Sequence, residues 1–248
     1  EKITLHLSRT SHPCLAVEAA LRMKGLDYEP VELAIGPDRA ARMQEIYGEG
    51  HGTIPGMLVG EERVHGSRQI MARLEELAPE PPLFPEAIAD EVREAERWGE
   101  EEFQDVARRL PYGALHFRPE AAATFVGAPP LDPASTDFAI RLIRDAWERR
   151  GISAARLAED LAALPGQLDH IDELGAAGIV GGETPTAADL QIASTVRVLL
   201  TVGDLAPLLE GRLAEKLARR WFPDYQGDIP AGAFPAGWVP AVGGVPNL

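Results

Sequence analysis

Residues 7–17 read LSRTSHPCLAV and join an apolar run, ITLHL (3–7), to a helix-like one, LAVEAALRMKG (15–25). An apolar stretch, a cluster of hydroxyls, a proline and then apolar residues at three-to-four spacing predict a strand-to-helix turn. Pro13 stands where the first helical turn tolerates proline, because the N–H it lacks would have no helical partner there. A dithiol redox loop would carry a cysteine at each end of a four-residue turn. Here the first position is Ser11, and only Cys14 remains.

Working outward, YEPVEL (28–33) reads as a second strand and the polar stretch 37–46 as a weaker helix. TIPGMLVGEERVHGSRQI (53–70) holds two short apolar runs, Gly56–Val59 and Arg63–His65, joined by Gly60-Glu61-Glu62, which is a hairpin signal. Ser67 is placed to cap the helix that follows, whose Ile70, Leu74 and Leu77 keep helical spacing. The order βαβ, helix, ββ, helix predicts an α/β domain over residues 1–78. The proline-rich stretch APEPPLFPEA (78–87) breaks the pattern, so residues 79–90 read as a linker. Beyond it strand patterns vanish, and residues 91–248 read as all-α, with periodicity over Val92–Leu110, Phe138–Trp147, Leu157–Ile171, Ala188–Leu200 and Leu209–Trp221. The stretch from Pro111 to Pro133 fits a long loop or a broken helix equally, and the tail after Pro223 reads as irregular chain.

With 248 residues, 45% hydrophobic, the chain can bury a large core. Its net charge of −15 argues against nucleic acid or an anionic membrane as partner. The charge is uneven: residues 1–78 hold nine Lys/Arg against twelve Asp/Glu, and the remainder fifteen against twenty-seven, so an anionic ligand meets less repulsion in the N-terminal part. A single cysteine excludes an internal disulfide or a cysteine-rich metal site and predicts a reducing, cytoplasmic setting. No apolar run is long enough for a membrane span, and no signal-peptide pattern is seen. The chain opens on Glu1 rather than methionine, as after the trimming of something short.

Three motifs in this order resemble the glutathione transferase family: the turn LSRTSHPCLAV, similar to that of the theta-like, serine-type transferases; TIPGML, similar to the family's Val-Pro step; and TPTAADLQIA (184–193), similar to its capping-box helix, with Thr186 and Asp189 as the pair. The resemblance implies a thioredoxin-like N-terminal domain followed by an all-α helical bundle. It also implies a cis peptide bond at Pro55, leaving the backbone of Ile54 free to pair with a bound peptide, and glutathione as co-substrate. Ser11 would then stabilise the glutathione thiolate, with Thr53, Ile54, Pro55 and Ser67 binding the peptide. A small hydrophobic electrophile would lie near His12, Trp98, Glu102 and Phe103, and the protein would be a homodimer without a metal. Ser8 and Thr10 are rival hydroxyls, and side-chain capping is an alternative role for Ser11. Cys14 reads either as a small buried hydrophobe or as a thiol reductase centre. The chain departs from the family at Gly66, where an acid or amide usually precedes the serine, and at Thr53, where lysine or glutamine is common; Arg39, Arg42, His51 and Arg68 are candidate substitutes. A non-catalytic ligand- or partner-binding protein is the competing function.

Overall fold

The structure, a computed structural model, describes residues 1–34, 36–225 and 227–242. The chain divides into two compact units, Glu1–Glu100 with Gly178–Ser194, and Glu101–Ala177 with Thr195–Leu248.

In the first unit, β1 (Ile3–Leu7), α1 (His12–Met23), β2 (Tyr28–Glu32), α2 (Pro37–Tyr47), β3 (Gly56–Val59), β4 (Glu62–His65) and α3 (Ser67–Leu77) follow the predicted order. The sheet order is β2-β1-β3-β4, with β1 parallel to β2 and antiparallel to β3, and β3 antiparallel to β4. Leu5, Leu7, Met57, Val17, Leu21, Ile70, Met71 and Leu74 are all fully buried, as the alternation of β1 and the apolar stripes of α1 and α3 require. Strand β2 is an edge and carries Pro30, whose missing N–H costs nothing on the outer side. Gly56 admits α2: a Cβ there would lie 2.4 Å from the Tyr47 ring and 2.9 Å from Met43 Cε.

The stretch after α3 is tied down. The buried Lys24 donates to Glu75 at 2.7 Å and to the carbonyls of Ala78 and Pro81, while Glu75 also accepts from the amides of Leu83 and Phe84. Helix α4 (Ala89–Trp98) follows. Thr186 and Asp189 form the reciprocal capping box. The Thr186 amide donates to Asp189 Oδ2 at 2.9 Å, and the Asp189 amide donates to Thr186 Oγ1 at 3.2 Å. Asp189 also accepts from the Gly181 amide at 2.7 Å, so this carboxylate closes a loop as well as opening a helix.

The second unit is helical. A π-helical turn, Gly99–Phe103, leads into α5 (Gln104–Phe117); α6 (Pro133–Arg150) and α7 (Ala154–Ala176) follow. Helix α8 (Ala187–Leu199) begins at the capping box in the first unit and enters the second at Thr195, where α9 (Ala206–Leu209) and α10 (Leu213–Trp221) complete the set. Pro111 lies inside α5, and two 3-10 turns, Pro119–Ala122 and Thr124–Val126, carry the chain on to α6, so 111–133 is half helix and half broken chain. The helix expected over Leu209–Trp221 is interrupted at Gly211, whose φ of +75° ends α9 before α10 starts. Arg109 and Asp160 make a bidentate buried pair, with Nε to Oδ2 at 2.6 Å and Nη2 to Oδ1 at 2.8 Å.

Candidate active site

The strand register gathers the candidate residues of the first unit at one end of the sheet. His6 lies opposite Gly56, and Gly56 opposite His65, so the turn after β1, the residues before β3 and the start of α3 share that end. The Gly66 amide donates to the Pro55 carbonyl at 3.1 Å and ties the last two together. Two helix N-termini, of α1 and α3, meet this end, and the positive end of a helix dipole favours an anion.

Ser11 occupies the N-cap position of α1, with φ −94° and ψ 115°, yet its side chain makes no capping hydrogen bond. The capping role is therefore not the one its hydroxyl performs. Ser11 is half-buried and its hydroxyl contacts the Cys14 sulfur. The rivals are committed elsewhere: Ser8 is buried and its hydroxyl lies 3.2 Å from that of Thr10. Cys14 is fully buried, and burial pushes its thiol up to about 11, against the pull of Ser11 and Ser8. At neutral pH this thiol holds its proton and packs as an apolar group. His12 is buried in the first turn of α1.

The Ile54–Pro55 peptide bond is cis. Among the described residues neither the amide nor the carbonyl of Ile54 has a backbone partner. The Thr53 carbonyl accepts from His65 Nε2 at 2.8 Å, while the Thr53 side chain is exposed. His65 is held between rings, 5.7 Å from Tyr47 and 4.6 Å from His51, and Tyr47 shares a 2.7 Å hydrogen bond with His6 Nδ1. Burial lowers the pKa of both His6 and His65, so these imidazoles act as neutral struts. The hairpin register could have flagged His65, since it stands across from the residue after Pro55.

Ser67 does not cap α3. Gly66 takes the N-cap position at φ +93°, a conformation suited to glycine, and Ser67 is the first helical residue. Its buried hydroxyl donates instead to Glu100 Oε1 at 3.2 Å, while Arg68 Nη1 reaches Glu100 Oε2 at 3.4 Å. Glu100 belongs to the π-helical turn and had no sequence signal, being 33 residues from Ser67. Beside it, Glu96 is 3% exposed and its Oε1 has no hydrogen-bond partner. Burial pushes its carboxyl from 4.5 up to about 8, with Arg68 opposing and Glu100 adding to the shift. The folded state therefore holds a proton that the unfolded chain releases, and stability falls as pH rises from 4.5 towards 8. Glu96→Gln is expected to flatten that fall, read as the urea midpoint at acidic against alkaline pH; an unchanged slope would refute it.

Of the other candidates, Trp98 is half-buried at the end of α4, Glu102 is exposed, and Phe103 is a fully buried core residue of the second unit. Arg42 pairs with Glu45 on the surface of α2. Among the described residues no group of three or more His, Cys, Asp or Glu could hold a metal ion, and no helix is long and apolar enough to cross a membrane.

Residues 5–82 match the sequence profile of the glutathione S-transferase N-terminal domain. The first unit carries the N-terminal domain of the glutathione S-transferase family. Glutathione S-transferase Z1 of Arabidopsis thaliana is 37% identical over 87 residues, which is 34% of this chain and 38% of that protein; the chain thus matches well under half of this curated relative's length. Two solved structures share the fold over nearly the whole chain. A glutathione S-transferase from Rhodospirillum rubrum F11 has a TM-score of 0.53 at 22% identity, covering 88% of this chain and 85% of its own. A Methylobacterium radiotolerans glutathione S-transferase, in complex with glutathione sulfonate, has a TM-score of 0.52 at 19% identity, covering 92% and 96%. At these identities the likeness supports the transferase fold, a thioredoxin-like domain followed by a helical one, over about nine-tenths of the chain.

Proposed function

We propose that this protein is a glutathione-dependent transferase that conjugates the tripeptide to a small hydrophobic electrophile, acting as a cytoplasmic homodimer. The observation that carries the reading is the Ser11 hydroxyl, held at the N-terminus of α1 without capping it. Its contact with a protonated thiol is weak, and a thiolate is a far better acceptor. The free amide and carbonyl of Ile54 suit a peptide laid alongside as an extra strand, with the carboxylate of its γ-glutamyl end towards Ser67 and the N-terminus of α3. Catalysis is then positioning and thiolate stabilisation, with no covalent bond to the protein. Calorimetry of the full chain with glutathione, paired with an assay on an aromatic halide, tests this. Submillimolar binding with conjugate formation is expected, and binding no tighter than millimolar without turnover would overturn it.

That negative outcome would favour a non-catalytic binding protein, a reading motivated by the Glu100 carboxylate engaging Ser67 and Arg68. In the transferase, a ligand carboxylate at Ser67 must displace Glu100. Removing a half-buried competitor of this kind changes binding by about 1 kcal/mol, roughly fivefold. Glu100→Ala is therefore expected to tighten glutathione binding by that factor in the same calorimetry, and an unchanged or weaker affinity would show that Glu100 does not compete. The burial of Cys14 leaves the thiol reductase alternative without an accessible thiolate. Cys14→Ser is expected to retain conjugating activity, and loss of all activity in a folded variant would restore that alternative.

A further inference from the structure

Within the second unit, the C-terminal end of α5, Pro119 and one face of α6 line a half-open cavity of about 120 Å³. Its walls are apolar, with Leu115 and Ile143 buried behind it and Ile140 at the rim, 38% exposed. The aromatic side is Trp147, whose indole N–H is spent on the Tyr112 carbonyl at 2.9 Å, so it offers only ring surface. The His116 ring lies against it, with centroids 4.3 Å apart. Arg144 completes the lining, is exposed, and has no ion-pair partner among the described residues. An uncompensated guanidinium beside an apolar cavity contrasts with a chain of net charge −15.

We propose that this cavity binds a small aromatic carboxylate. Apolar cavities of about 150 Å³ take up one benzene-sized ring, and this one is of that order. The ring faces Trp147 and the aliphatic walls, while the carboxylate reaches Arg144, whose planar fork matches it in bidentate geometry. Organic cations are excluded by the same charge. The site uses residues of the second unit alone, so it does not depend on glutathione binding.

Benzoate, with benzyl alcohol as its uncharged counterpart, tests the proposal by calorimetry on the full chain. Saturable benzoate binding is expected, roughly fivefold or more tighter than benzyl alcohol. Arg144→Gln should abolish that preference, and Ile140→Asp, which sets a carboxylate at the rim, should abolish benzoate binding. Both positions are exposed, so both variants should melt as the parent does. No saturable benzoate binding, equal affinity for benzyl alcohol, or benzoate binding that neither substitution changes would overturn the proposal.

Discussion

Asp160→Ala is expected to destabilise the helical unit by about 3–5 kcal/mol, the range for leaving a buried charge without its partner. The side chains of Arg109 and Asp160 are 9% and 7% exposed, and their two hydrogen bonds join α5 to α7. The Asp160 bond is the largest influence raising the Arg109 pKa; without it the guanidinium still keeps its charge, because arginine is not deprotonated at ordinary pH. Asp105 lies 3.2 Å from Arg109 Nη1, which places the loss towards the lower end of the range. Urea unfolding followed by circular dichroism measures it, provided the slope with denaturant is unchanged. A loss below about 1 kcal/mol would mean that Asp105 and water fully replace Asp160. Replacing both partners with apolar residues of similar volume should recover most of the loss, because the penalty lies in the unpaired charge rather than in a large net worth of the pair.

The same distinction between local and distant determinants decides what could be read from the sequence. The strand-to-helix turn at Pro13, the hairpin about Gly60 and the capping box at Thr186 and Asp189 are encoded within a few residues, so order and type of element were legible. Ser67 was not. A serine before an apolar helix satisfies the capping pattern, but Gly66, at φ +93°, takes the cap and moves Ser67 one position inside. Its partner Glu100 arrives through tertiary packing of a π-helical turn that no periodicity announces. Pro111 shows the converse. A proline removes one helical hydrogen bond, and whether the helix survives depends on what its flanks bury; here Leu110, Ala114 and Leu115 lie in the core, so α5 continues through it.

Ser11→Ala is expected to slow conjugation roughly ten- to a hundredfold and to raise the pKa of bound glutathione by about one to two units. A free thiol with a pKa of about 8.5 is only a few per cent ionised at neutral pH. Bringing it near 6.5 requires about 2.7 kcal/mol of preferential stabilisation of the anion, at about 1.36 kcal/mol per unit. A charge-assisted hydrogen bond from a hydroxyl supplies about 1.5–3 kcal/mol, and the start of a helix about 0.3–1 kcal/mol. The alanine variant keeps the helix start and loses the hydroxyl, so it should retain the smaller part. Because Ser11 makes no capping bond, the substitution should leave the stability of α1 nearly unchanged, which separates lost chemistry from lost folding. The decisive readout is the pH–rate profile, whose inflection should move to higher pH in the variant while the rate at alkaline pH approaches that of the parent. An inflection that does not move would remove Ser11 from the mechanism and leave the amides of α1 as the thiolate's only support.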